Sequence, residues 1–479
     1  MSQWSVVPAA VIFQLFMMSL SSVGFLGPDE PRYASIGHDM AQSGDWITPR
    51  LDGRPWFEKP PLTYWLTAVG IPLNGRDEFN SRFPQVLVSY SFLVLFYRRL
   101  CRTFSRRIAI LAFSILAASL GWVAYSFVAL TDLPMAVALN AALLVFLTNK
   151  RNGAWVAGAL LGIAFLAKGF VPVVLFAPIF LLRNSERQAG RLRVVIGAIA
   201  VAAPWVILCW LRNGHAFWDD FFWKQHVQRF YSPSLEHVQP FWYYVPVLLA
   251  GLFPWSPLLS LLANRRIYDD ARVRFLGAWV LYGFIFFSAS RNKLPGYLLP
   301  LLPAVAVLLA IALDRAFEQG RQVAVWLTAC ALLLIFLPSV GRLLPDVLIQ
   351  GLRRVDLKFA PEGLVLLIPA AIVFWWARGV RLPLAVRLVA LTTGATIVCL
   401  MFTVLPSLDR TYSVRRFYRD HRDAFPGACL DHVNRTWEYG LNNYAGHPLT
   451  QCAANKAPDE TPARPRVTVV DRRLVLSEK

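Results

Sequence analysis

The sequence predicts an all-α polytopic membrane protein of about thirteen transmembrane helices, with a small α/β module at its C-terminal end. Three observations predict it. Hydrophobic residues make up 56% of the 479 residues and charged ones only 16%, whereas soluble domains average about half apolar and a quarter charged. Apolar segments recur along most of the chain at the length a bilayer requires. Arg and Lys gather in every second connection between those segments.

The apolar segments lie near 6–26, 83–97, 108–129, 133–148, 154–167, 171–182, 194–211, 241–262, 275–290, 295–313, 323–340, 363–377 and 384–405. A span needs roughly 20 apolar residues. Several are shorter, notably 171–182, so tilting, re-entry or merging is expected there. The first run lacks a basic N-terminal flank and is followed by further spans, which reads as an anchor and not as a cleaved signal peptide.

A net charge of +19 invites a nucleic-acid reading, but the cations punctuate apolar stretches instead of forming a patch on a soluble domain. No nucleic-acid partner is expected. The basic connections YRRLCRTFSRR (97–107), NKRNG (149–153), RNSERQAGRLR (183–193), NRRIYDDARVR (264–274), DRAFEQGR (314–321) and ARGVRLP (377–383) belong on the cytoplasmic side. Loop 27–82, the turns at 131–134, 167–170 and 290–297, the loop 212–240 and the stretch 341–362 then face the other side, as does the tail. On this reading residues 1–405 form the membrane domain, 27–82 its first periplasmic loop with amphipathic surface helices, and 406–479 a small periplasmic domain with a strand-like RVTVVD. Of the six cysteines, only Cys429 and Cys452 in the tail are placed to pair. A disulfide there would contribute about 3 kcal/mol, and two free thiols explain the sequence equally well.

Ionisable residues at span ends are costly and are usually functional or paired, and here they cluster on one side. Asp29 and Glu30 stand in GPDEPRYA, Glu58 and Lys59 in WFEKPPLTYW, Asp132 in LTDLPMA, Lys168 in FLAKGF, His226 and Arg229 in FFWKQHVQRF, and Lys293 and Tyr297 in NKLPGYLLP. Each has a bland reading. Asp29 reads also as a solvated loop acid, Lys59 and Lys168 as snorkelling lysines, and Asp132 as a helix cap. His226 reads as a packed or solvated histidine, and the Lys293–Tyr297 stretch as a turn set by Pro295 and Gly296. Six such insertions on one face, beside Pro or aromatic residues, look like one site. A phosphate-linked lipid donor would need cations such as Lys59, Lys168, Arg229 and Lys293 against its leaving phosphate, and an acid, Asp29 or Asp132, near the acceptor.

The segment GPDEPRYASIGHDMAQSGDWITPRLDGRPWFEKPPLTYW, followed in order by LTDLPMA, AKGF, FFWKQHVQRF and NKLPGYLLP, resembles the aminoarabinose (L-Ara4N) transferase family and its protein O-mannosyltransferase-like relatives. The resemblance covers roughly residues 10–310. It implies a GT-C fold, an undecaprenyl-phosphate-linked sugar donor, inverting transfer at the periplasmic face of the bacterial inner membrane, and lipid A or another envelope glycan as acceptor. By position it implies Asp29 and Asp132 as the catalytic acids, Lys59, Lys168, Arg229 and Tyr297 toward the donor phosphate, and Glu58 with His226 toward a divalent metal, zinc. Two protein ligands would leave positions open, as catalytic zinc requires. The sequence departs from the family in reading Asp-Glu-Pro at the first motif and in its shorter tail, which leaves the sugar and the acceptor open. Transfer to protein Ser or Thr is the alternative within the enzyme class. A non-catalytic polyprenyl-lipid transporter is the alternative outside it, although no internal repeat is evident and the polar residues crowd one surface instead of the bilayer midplane.

Overall fold

The computed structural model describes residues 3–70, 77–148, 153–181, 185–228, 238–320, 322–350, 355–356, 358–379, 381–452, 465–470 and 473–477. Each of the thirteen apolar segments is mainly helical over its described residues. Among the described residues six helices are long and apolar enough to cross a membrane, and two more crossings are bent pairs. Four shorter apolar helices, Val11–Ser21, Asp132–Thr148, Gly153–Lys168 and Val171–Phe180, complete the bundle together with Glu78–Thr103. The fold is that of a multi-pass membrane protein.

In the most apolar 18 residues of Pro295–Glu318, 94% are buried, which makes it the central helix of the bundle. Its sequence explains this, because it is apolar around its whole circumference and has no face to give to a polar surface. The apolar stretch of Gly190–Gln225 has comparable hydropathy but only 22% of it is buried, so it stands at the rim with Ile199, Ile207, Trp210 and Leu211 turned outward.

Several boundaries differ from the sequence reading. Segment 108–129 is two helices, Arg106–Ala117 and Leu120–Phe127, bent by 58°. Segment 241–262 is likewise broken, by 113° between Phe241–Gly251 and Ser256–Ala263, where Pro254 and Pro257 cannot donate helical hydrogen bonds. The two breaks meet, because the Leu120 amide donates to the Phe253 carbonyl at 3.0 Å. The helix Glu78–Thr103 starts inside what the sequence reads as loop 27–82, since Asp77 caps it by accepting from the Asn80 amide. The last span runs on to Thr411, past residue 405. Residues 212–228, read as loop, are helical apart from a break at Gly214.

The first loop folds as two helices, Asp29–Ser43 and Leu62–Gly70, around a hairpin of β1 (Arg50–Leu51) and β2 (Arg54–Pro55). Asp52 and Gly53 both take positive φ at its turn, a two-residue connection for which Asp-Gly is suited. In the tail, β3 (Cys429–Leu430), β4 (Thr450–Gln451), β5 (Arg466–Val470) and β6 (Arg473–Ser477) form one sheet in the order β4-β3-β5-β6. Only β5 and β6 are antiparallel neighbours. Cys429 and Cys452 are joined by a disulfide. The helix Arg435–Ala445 lies between β3 and β4 in the chain, capped by Asn434 and ended by Gly446 in the left-handed region.

One ion pair ties these parts together. Arg82 and Glu30 are each fully buried. Arg82 donates to both Glu30 oxygens at 2.7 and 2.8 Å and to the carbonyls of Leu20, Val23 and Gly24. Glu30 also accepts from the amides of Leu26 and Ala129. Removing one partner of such a pair costs about 3–5 kcal/mol, because the other charge stays buried and uncompensated. Arg82→Leu is therefore expected to lower the thermal midpoint of the detergent-solubilised protein sharply, and a midpoint equal to wild type would contradict this.

Candidate active site

The Glu30–Arg82 pair fixes the two acids of the site. Asp29 precedes Glu30 at the start of the helix Asp29–Ser43, and the Ala129 amide that Glu30 holds lies three residues before Asp132. Leu130 packs against the cluster of Tyr33, Ile36, Met40 and Tyr64, so the start of the Asp132 helix rests on the first-loop helices.

Asp29, Arg32, Glu58 and Lys59 form a chain of alternating charge. Arg32 donates to Asp29 one helical turn away, pairs with Glu58 Oε2 at 3.0 Å, and Glu58 Oε1 lies 3.5 Å from Lys59 Nζ. The side chain of Asp29 is 41% exposed while that of Arg32 is 5% exposed, so Asp29 is the member that reaches open space. Burial opposes the Arg32 charge, but Glu58 and Asp29 outweigh it and hold the guanidinium charged. Its Cζ lies 5.2 Å from the Trp56 ring, 5.4 Å from Tyr33 and 5.6 Å from Tyr439, within cation–π range. Burial, reinforced by the nearby carboxylates, pushes the phenols of Tyr33 and Tyr64 far up, so both are neutral O–H groups.

The second group stands on three other elements. Lys168, at the end of the helix Gly153–Lys168, donates to Asp132 Oδ1 at 2.5 Å. Its Nζ lies 4.6 Å from the Tyr297 ring centroid. Gly296 is required beside them, because a Cβ there would stand 2.6 Å from both Asp132 Oδ1 and the Tyr125 hydroxyl. Neighbours of the two groups interlock. Phe57 packs with Phe165 and Leu166, just before Lys168, and Leu62 joins the cluster that holds Tyr297.

Asp29, Glu58 and Lys59 are thus one group, and Asp132, Lys168 and Tyr297 a second packed beside it. Lys293 is only 4% exposed and donates to the carbonyls of Gln239 and Ser290. Burial lowers its pKa. Arg229 lies outside the described residues. The backbone of His226 is on the π-helix Trp218–Gln228, and its side chain lies outside the described residues. Among the described residues no three His, Cys, Asp or Glu side chains converge on a metal position. Glu58 has cations on both oxygens, which is a poor setting for a metal ligand. Sequence reasoning missed Arg32, Arg82 and Tyr439. Arg32 was within reach, three residues after Asp29 on a helix, and Arg82 as a charge within an apolar helix. Tyr439 carries no local signal.

Comparison with known proteins adds the family. A family model described as dolichyl-phosphate-mannose-protein mannosyltransferase matches residues 58–210. An undecaprenyl phosphate-α-4-amino-4-deoxy-L-arabinose arabinosyl transferase of Pseudomonas fluorescens is 34% identical over 67% of this chain, and that match spans 59% of the relative, less than two thirds of its length. Another from Pseudomonas aeruginosa is 31% identical over 89% of this chain and 80% of its own. The crystal structure of ArnT from Cupriavidus metallidurans bound to undecaprenyl phosphate superposes with a TM-score of 0.76 at 25% identity, covering 95% of this chain and 86% of that one. The bundle is accordingly a GT-C fold, and the chain belongs to the family of the undecaprenyl phosphate-aminoarabinose arabinosyl transferases.

Proposed function

We propose that the protein is an inverting glycosyltransferase of the bacterial inner membrane. It moves one sugar, an aminoarabinose-like pentose or a hexose, from undecaprenyl phosphate to lipid A or another envelope glycan at the periplasmic face. The observation that carries this reading is the packing of an exposed-ended Asp29–Arg32–Glu58–Lys59 chain beside the Asp132–Lys168–Tyr297 group. The names of the relatives support the donor and the sugar.

In this reaction the acceptor oxygen attacks the anomeric carbon from the face opposite the phosphate. The bond from that carbon to the phosphate oxygen breaks, and the polyprenyl phosphate leaves with the electron pair. Lys59, Lys168 and Arg229 stabilise the charge that gathers on the leaving oxygen, and Tyr297 keeps the Lys168 ammonium in place beneath its ring. Lys293 serves through the loop it holds. For a hydroxyl acceptor Asp29 takes the proton, and for a phosphate acceptor the nucleophile is already ionised. Asp132 orients Lys168. Zinc between Glu58 and His226 does not fit this arrangement, because Glu58 would have to release Arg32 and Lys59, and no step is routed through it.

Transfer to protein Ser or Thr is the second reading, favoured by the mannosyltransferase description that matches residues 58–210. Mass spectrometry of lipid A and glycoproteomics, on cells with and without the gene, separate the two. The expected result is a sugar mass increment on lipid A or another envelope glycan that vanishes on deletion. Complementation with Asp29→Asn should not restore it although the protein accumulates in the membrane, and normal modification by that variant would sink the assignment. Lys168→Met is expected to lower kcat/KM by about 10²-fold, and an unchanged value would remove Lys168 from the phosphate site. Metal analysis of purified wild type, Glu58→Ala and His226→Ala is expected to give equal zinc content, and zinc that falls in both variants would restore the two residues as ligands.

A further inference from the structure

The C-terminal segment does not hang free of the site. Its helix Arg435–Ala445 presents Tyr439, Asn442 and Asn443, one face by helical spacing, to the first loop. Asn443 Oδ1 accepts from the Ser35 hydroxyl at 2.9 Å, and Asn442 donates to Asp52 at 3.3 Å. Tyr444 donates to Glu78 at 2.5 Å and accepts from the Phe25 amide at 3.1 Å. The helix is thereby seated over the first-loop helix by contacts that do not involve Tyr439.

Tyr439 makes a different contact. Its ring supplies the wall of the Arg32 enclosure that the first loop lacks, since Trp56 and Tyr33 belong to the loop itself. Among the described residues Arg32 is the cation paired with both Asp29 and Glu58. A guanidinium screened from water by aromatic faces keeps one orientation and a strong field on its carboxylates. Opened to water, it gains rotamers and its hold on Asp29 weakens.

We propose that Tyr439 is a positioning residue of the active site, closing the aromatic enclosure that fixes Arg32 between Asp29 and Glu58. The C-terminal segment is then a working wall of the site. Its catalytic half rests on the role given to Asp29 above, and its structural half does not. Tyr439 is half-buried at the edge of the first-loop cluster, while the buried Asn442 and Asn443 hold the helix on the first loop by their own hydrogen bonds, which a shortened Tyr439 leaves in place.

The test uses the full chain in lipid nanodiscs, with Tyr439→Ala and Tyr439→Phe. Labelling of Arg32 by phenylglyoxal, read by peptide mass spectrometry, needs no catalysis. Labelling should be about 10-fold faster in Tyr439→Ala than in wild type, with the wild-type rate in Tyr439→Phe, which keeps the ring face. Sugar transfer should lose about 10-fold or more in kcat in Tyr439→Ala with donor KM little changed, as expected of lost positioning, and recover in Tyr439→Phe. An Arg32 as protected in Tyr439→Ala as in wild type overturns the proposal, and so does an exposed Arg32 with unchanged kcat. Should Tyr439→Ala not fold, Tyr439→Leu, which fills volume without a ring face, takes its place with the same expected outcomes. Wild-type protein that labels as expected but transfers no sugar would instead count against the function proposed above.

Discussion

A fully buried ion pair is expensive, and here it is placed where four parts of the chain must agree. Arg82 takes the free carbonyls at the end of the first span, and Glu30, on the first loop, takes backbone amides from the last residue of that span and from the approach to Asp132. With these bonds every donor of the guanidinium is used, which is the condition under which a buried pair repays its desolvation. One turn earlier on the same helix, Glu78 receives Arg415 and Tyr444 from the tail, and Arg415 also pairs with Asp409 at the end of the last span. A single helix face therefore sets the first span, the first loop, the Asp132 helix and the tail relative to one another.

The site inherits its balance from this arrangement. Asp29, Glu58 and Asp132 are matched by Arg32, Lys59 and Lys168, so its described charges cancel before any ligand arrives. In the proposed reaction, cations already oriented by carboxylates meet the donor phosphate without first losing their own rotamer freedom. The phenols of Tyr33 and Tyr64, buried in the core beneath these carboxylates, stay neutral and add no charge.

Much of this was legible in the sequence, and the rest was not for definite reasons. Hydropathy found every helix of the bundle, because lipid demands a long apolar run, and the charges at span ends marked Asp29, Asp132 and Lys168. Hydropathy is blind to a break such as that between Ala117 and Leu120, where the residues on both sides are equally apolar. It also placed Arg82 outside a span, since a buried charge looks the same as a solvated one until its partner is known. The Asp-Gly turn of the first loop was readable and passed over in favour of helices. The contact of Tyr439 with Arg32 joins opposite ends of the chain, and nothing in the neighbourhood of either residue announces it.

The bond from the Leu120 amide to the Phe253 carbonyl joins the two bent crossings. A buried amide without a partner costs several kcal/mol, and the partner of the Leu120 amide stands 133 residues later in the chain. The early bent crossing is thus finished only by the late one. The two bent crossings are therefore coupled across the chain, and a substitution that straightens one removes a backbone partner from the other.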